Sequence, residues 1–258
     1  MLFNVPAVTD LPYFTTIPYN SLDWEQLEED GLFGDLDAET VVGIANTAYE
    51  AYNTALDTAL LYGYIDTDEH TSRYISFDAT AIDPVVIEDE NLTDLEAINV
   101  LFTGAGKWRL ATENDLINLT AGSILGTQAV TGELATTYGI GVPLGDEFVL
   151  TPEEQELISE ATTSYNTTIA ALATADANLM LFDANTLLTT LKDSGITSEG
   201  TTVTGDISLT GAFSLDGIHL NPRGNAVFAN MVIEDINDYF GSTLQLHDPI
   251  YFSTLTFK

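Results

Sequence analysis

Apolar positions recur every three to four residues in three stretches of the chain, and each stretch carries its own boundary signal. Over residues 41–62 the stripe is Ile44, Ala48, Ala51, Tyr52, Ala55, Ala59 and Leu60, closed by Gly63. Thr151-Pro-Glu-Glu154 opens a second helix, because threonine and glutamate three apart form a capping box and proline suits the first helical position. That helix runs over residues 152–175, and the spacing of Leu157, Ile158, Ala161, Tyr165, Ile169 and Leu172 predicts an inward face. The third begins at a cluster of Asn221, Pro222 and Gly224. It continues through Ala226, Val227, Ala229, Met231, Val232, Ile233, Ile236, Tyr239 and Phe240, and stops at Gly241.

Strand signals are shorter. Residues 1–6 read as a buried strand closed by Pro6, followed by a proline-marked loop over 8–18 and an exposed acidic connection over 19–40. Leu179-Met-Leu-Phe-Asp183 is an unbroken apolar run, as in a buried parallel strand, and a short helix over 184–192 ends at Gly195. Residues 201–213 favour extended structure, with Gly205-Asp206 as the expected hairpin turn. Between 64 and 150, Ile75-Ser-Phe77, Val85-Val-Ile87 and Leu101-Phe102 are strand candidates, while residues 92–101 also fit a helix. A connection from 20 to 150 is too long for an ordinary loop, which predicts an insertion at 21–149 between two parts of one α/β domain, 1–20 and 150–258. The order of elements fits the second half of an α/β/α sandwich.

Chemistry concentrates in residues 211–225. Asp216 stands three residues before His219 on a tight turn that leads into the third helix. A carboxylate so placed can accept from the imidazole Nδ1–H and leave Nε2 to act as a base.

Phe-Ser-Leu-Asp-Gly-Ile-His219, followed by Asn221-Pro-x-Gly-Asn-Ala226 and an apolar helix, resembles the last sequence block of the SGNH (also called GDSL) hydrolases. Leu220 departs from the pattern, since the family often has proline there. The strand and loop at 1–18 are similar to the segment after that family's third block, and residues 109–119 resemble a stretch of its long members. The resemblance covers 1–20 and 150–245. It implies a three-layer α/β/α sandwich and cleavage of carboxylic esters by a Ser-His-Asp triad. Substrates would be lipids, acylated sugars or small acyl esters, and no cofactor is implied. His219 would be the base and Asp216 the residue that orients it. The family draws its serine and oxyanion groups from upstream blocks that these 258 residues lack, so the chain is expected to be the C-terminal part of such an enzyme and inactive alone. The rival reading is a binding or scaffold module that kept the fold without the serine. The insertion is expected to form a lid or wall of the substrate site.

Composition narrows the partners. Forty acidic residues against six basic ones give a net charge of −34, which repels nucleic-acid phosphates and anionic lipid. No apolar run approaches the ~20 residues of a membrane helix. Such an acidic surface fits a secreted or cell-surface protein of a bacterium in marine or saline water. Self-repulsion should weaken at high ionic strength, so the melting temperature should rise from low to molar sodium chloride; a flat or falling series would exclude this surface effect. Zero cysteines exclude disulfides and thiolate sites.

Other signals fail on spacing. Gly205-Asp-Ile-Ser-Leu209 resembles a Gly-Asp-Ser-Leu nucleophile block with one residue inserted, but it lies in a strand-like run with no helix after Ser208. Gly104-Ala-Gly-Lys107 lacks the full phosphate-loop spacing. Asp66, Asp68, Glu69 and His70, or Asp35, Asp37 and Glu39, match no metal loop. His70 and His247 have no acid three residues before them, and the sequons at Asn91, Asn118 and Asn166 are expected by chance. Trp24 and Trp108 with the tyrosines offer a weaker alternative, a carbohydrate-binding face.

Overall fold

The computed structural model describes residues 1–254, and the chain divides into two units. A split unit comprises Met1–Thr16 with Glu154–Lys258, and a continuous unit comprises Ile17–Glu153. Both mix helices with small sheets, and each sheet among the described residues has two strands.

The continuous unit is built on the helix Ala38–Leu61, whose N-terminus is capped by the Asp37 carboxylate accepting from Thr40 N–H. Its buried face is Val41, Val42, Ala45, Tyr49, Tyr52, Leu56 and Ala59, whereas Ile44, Ala48 and Ala51 are exposed. The stripe is therefore rotated from the one expected. Tyr52 and Ala59 of that stripe are buried as expected, and Tyr49 is buried beside them: its large ring gains more from burial than alanines do, and its hydroxyl donates to the Ile140 carbonyl as that of Tyr52 does to the Trp108 carbonyl.

Residues 19–40 are largely exposed, as expected of a connection, but they also send Leu22, Trp24 and Phe33 into the core. Leu22–Asp23 pairs antiparallel with Ile82–Asp83, and Trp24 opens the helix Trp24–Glu29 with its indole wholly buried, donating to Asp83 Oδ2 at 2.8 Å. Val86–Glu88 pairs with Trp108–Leu110 as a second ladder. The expected strand at 75–77 does not form a ladder. Asn53 and Asn46 of the long helix instead bond both backbone groups of Ile75 and Phe77, at 2.8 to 3.1 Å, so side-chain amides replace a partner strand. The stretch at 92–101 becomes one helical turn, Leu95–Ile98, broken at Asn99, whose side chain caps the 3-10 turn Val100–Phe102.

In the split unit, β1 (Leu2–Phe3) lies parallel to β2 (Leu181–Phe182). Around them are α1 (Pro152–Ala175), α2 (Ala184–Ser194), the hairpin of β3 (Ile196–Ser198) with β4 (Thr201–Val203), and α3 (Pro222–Phe240). Met180 and Phe182 are buried, as expected of that run, but β1 is not, since Phe3 is 43% exposed. Just after β1 the Asn166 side chain accepts from Val5 N–H at 2.7 Å and donates to its carbonyl at 2.9 Å. Residues 8–18 are not a plain loop: they hold a 3-10 turn at Val8–Asp10 and a short helix at Pro12–Thr15.

The face expected to point inward on α1 does so only at Ile158 and Ile169, which are half-buried. The helix has no buried residue, and Leu157, Tyr165 and Leu172 are 66%, 61% and 55% exposed. Its half-buried positions, among them Ile158, Thr162, Asn166 and Ile169, form a mixed face that includes the Asn166 contact with Val5. The hairpin turn is Glu199-Gly200, both with positive φ (47° and 79°), not Gly205-Asp206. Gly205 serves close approach instead: a Cβ there would meet Lys192 Cα at 2.6 Å. The expected stops hold, with Gly195 and Gly241 at φ 71° and 64° after α2 and α3.

Candidate functional site

The turn before α3 is fixed from below by Asn221. Its Nδ2 donates to the carbonyls of Gly211 (2.8 Å) and Phe213 (3.1 Å), and its Oδ1 accepts from Gly224 N–H at 2.9 Å as the cap of α3. Its own N–H reaches the Ala212 carbonyl at 2.8 Å. Pro222 supplies the fixed φ of a first helical residue. Gly224 lets the helix start sit against the chain, since a Cβ would approach the Ala212 oxygen to 2.2 Å.

Above this anchor, Ser214 N–H donates to the His219 carbonyl (2.8 Å) and Gly217 N–H to the Ser214 carbonyl (3.0 Å), closing a six-residue loop. Gly217 has φ 69°, and a Cβ would stand 2.7 Å from the Tyr13 nitrogen, whose N–H donates to the Gly217 carbonyl. No other residue type fits there without strain.

Asp216 uses both oxygens. Oδ1 accepts from Ser214 Oγ (2.7 Å) and from the N–H groups of Ile218 and His219 (2.9 Å each), while Oδ2 meets His219 Nδ1 at 2.7 Å. The Ile218 N–H, then the imidazole, the His219 N–H and the Ser214 hydroxyl hold the carboxyl well below the usual carboxylate range. Asp216 is thus ionised at neutral pH and can only accept, which makes Nδ1 the donor and leaves the Nε2 lone pair free. The imidazole is 80% exposed, and among the described residues no hydroxyl hydrogen-bonds its Nε2. The arrangement can remove a proton from a group brought to it from outside the turn.

Sequence reasoning brought Asp216 and His219 together but missed Ser214, and it gave Asn221 no role beyond opening the helix. An Asx or Ser two residues before an Asp-x-x-His turn is the signal that could have found the first. Several of the remaining candidates have structural partners. Ser208 donates to Asp206 Oδ1 within a bend. His70 pairs through Nε2 with Asp57 Oδ1 at 2.8 Å, linking two helices of the continuous unit across thirteen residues, a pair that local spacing could not reveal. Asp66 and Asp37 cap helices, and Glu69 binds Arg73. Gly104–Lys107 leads into a strand, not a helix, and Lys107 Nζ donates to the Glu90 carbonyl. Trp24 is buried, and Trp108 packs on Tyr52 at 5.4 Å, so neither forms an open sugar platform. Asn118 and Asn166 are engaged with backbone.

Against protein-family models, curated proteins and solved structures, the chain finds no match. Among the described residues no helix is long and apolar enough to cross a membrane.

Proposed function

We propose that Asp216 and His219 are the acid and base of a Ser-His-Asp triad that cleaves carboxylic esters, and that the serine comes from polypeptide outside these 258 residues. The observation that carries this reading is the orientation of the pair. An ionised Asp216, held by four donors, fixes the imidazole through Nδ1 and presents an unoccupied Nε2. His219 would take the serine proton during attack and return it to the leaving alcohol, while Asp216 stabilises the imidazolium. The parallel pairing of β1 with β2, and the helices that follow, support membership of a larger α/β/α sandwich of SGNH type. An unburied α1 and a sheet of only two parallel strands are what part of such a layer would leave, since parallel sheets are normally covered on both faces. The substrate would not be an anionic ester, because the acidic surface repels anions.

The test is hydrolysis of a p-nitrophenyl ester by the 258-residue chain, alone and joined to the polypeptide encoded upstream of it. The chain alone should show no turnover. The joined protein should be active and lose roughly 10²–10⁴-fold with His219→Ala. Turnover by the chain alone that His219→Ala abolishes would place the serine within these residues and overturn the split; an inactive joined protein would overturn the hydrolase. The second reading, a non-catalytic binding module, is favoured by the exposed imidazole without a hydroxyl partner, and the inactive joined protein is its expected outcome.

A further inference from the structure

The chain that follows α3 turns back and stays on it. Three residues of α3, spaced seven apart, hold its backbone: Asn237 at Leu244, Asn230 at His247, and Arg223 at Phe252 and Ser253. Each asparagine makes a paired contact, donating to the carbonyl and accepting from the N–H of one residue. The distances are 2.9 and 2.8 Å at Leu244, and 2.6 and 2.8 Å at His247. Arg223 Nε donates to the Phe252 carbonyl at 3.1 Å, and Arg223 N–H to the Ser253 carbonyl at 3.0 Å.

The spacing has a physical reason. Seven residues of α-helix make about two turns and rise about 10.5 Å, so residues 223, 230 and 237 share one face. Three residues of extended chain cover about 10 Å, which sets Leu244 and His247 opposite Asn237 and Asn230. Six residues separate His247 from Ser253 over the same rise, and the 3-10 turn Pro249–Tyr251, capped by the Asp248 carboxylate, takes up the surplus. The segment is a strap running antiparallel to α3, from the helix end back to its start. Its hold is mainly polar. Leu244, Ile250, Tyr251 and Phe252 are exposed, whereas Asn230 is wholly buried and also donates to Ser198 Oγ of β3 at 2.8 Å. A segment with few buried apolar contacts opens at lower cost than the core beneath it.

The last of these contacts reaches the acid–histidine turn. The first N–H groups of a helix have no partner within it. In α3 Pro222 carries none, Gly224 N–H goes to Asn221 Oδ1, and Arg223 N–H goes to the strap. Asn221, which anchors the loop of Asp216 and His219, therefore shares the capping of one helix start with the strap.

We propose that residues 244–253 are a strap that opens and closes as one unit and, by completing the cap of α3, positions His219 against Asp216. Asn237, Asn230 and Arg223 are its positioning residues. The inference stands apart from the ester-hydrolase reading, on which only an effect on turnover depends.

The experiment is amide hydrogen exchange of the nitrogen-labelled 258-residue chain, read by magnetic resonance. Asn237→Ala cuts the contact farthest from the turn, about 21 Å along the helix from Arg223, and alanine does not weaken the helix itself. Losing two hydrogen bonds should speed exchange roughly tenfold at the His247 and Arg223 N–H groups together. His219 Nδ1–H should exchange faster by a similar factor, while amides in the middle of α3 keep the parent rates. Leu244→Pro removes the N–H of the same contact from the strap side and should reproduce the result, which keeps the test open if the first variant does not fold. Asn237→Asp keeps the acceptor and should recover part of the protection. A folded variant in which the Arg223 N–H is unmoved overturns the single strap. One in which Arg223 speeds up and His219 does not overturns the positioning role.

Discussion

Arg109→Met should lower the stability of the continuous unit by about 3–5 kcal/mol, the cost of breaking a buried ion cluster by removing one partner. Arg109 lies between two carboxylates that are as buried as it is. Its Nε meets Asp89 Oδ2 at 2.6 Å, and its two terminal nitrogens meet the two oxygens of Asp115 at 2.7 Å each. Burial alone would favour loss of its proton. The hydrogen bonds it donates to Asp115 and Asp89, with their negative charge, outweigh that and hold the guanidinium charged, above even its usual range. Methionine would fill much of the volume and leave two carboxylates facing each other in the interior. Asp115 would keep its bonds from the Thr112 N–H and hydroxyl, which spreads its charge but does not balance it. Arg109→Lys keeps the charge without the planar fork and should fall between parent and Met. Urea unfolding followed by tryptophan fluorescence reads this unit alone, because Trp24 and Trp108 both lie in it. A midpoint shift worth less than about 1 kcal/mol would mean that the cluster is not the anchor described.

Asn221→Ala should destabilise the split unit by about 3 kcal/mol. Loss of a helix cap accounts for about 1 kcal/mol, and two carbonyls left without their donor in a buried place account for the rest, at roughly 1 kcal/mol or more each. Asn221 is 3% exposed, so water does not readily replace those donors. The same change frees the loop that carries Asp216 and His219. The Nδ1–H resonance of His219, sheltered by its bond to Asp216, should broaden or vanish in nitrogen-resolved spectra. Asn221→Asp keeps the acceptor for Gly224 N–H but not the two donations, and should recover only the cap. An alanine variant that retains both its thermal midpoint and the His219 resonance would show that the turn holds itself.

These two sites differ in how far the chain announces them. Asp216, His219, Pro222 and Gly241 act within a few residues of one another, so their roles are written in local spacing. A carboxylate three residues before a histidine meets it across one turn whatever surrounds them, and a glycine after an apolar run stops a helix by its own backbone freedom. The helix starting at Pro152 and the parallel strand at Leu181–Phe182 were legible for the same reason.

Which face of a helix turns inward is not local, and there the pattern misled. On Ala38–Leu61 the expected Tyr52 and Ala59 are buried, but Ile44, Ala48 and Ala51 give way to Ala45 and Tyr49, whose hydroxyl donates to the distant Ile140 carbonyl. On α1 Leu157, Tyr165 and Leu172 point outward, while Asn166 grips Val5 across 161 residues. Ile75 and Phe77 have strand composition but bond to asparagine side chains, which no periodicity encodes. Arg109 follows the same rule: its partners lie 20 and 6 residues away, and only the folded chain brings both carboxylates to one guanidinium. The sequence by itself determined where helices begin and end and which acid meets which histidine on a single turn, because bonds within a few residues set those. Tertiary structure decided the inward faces and the buried cluster, because each depends on surface that only a distant part of the chain can supply.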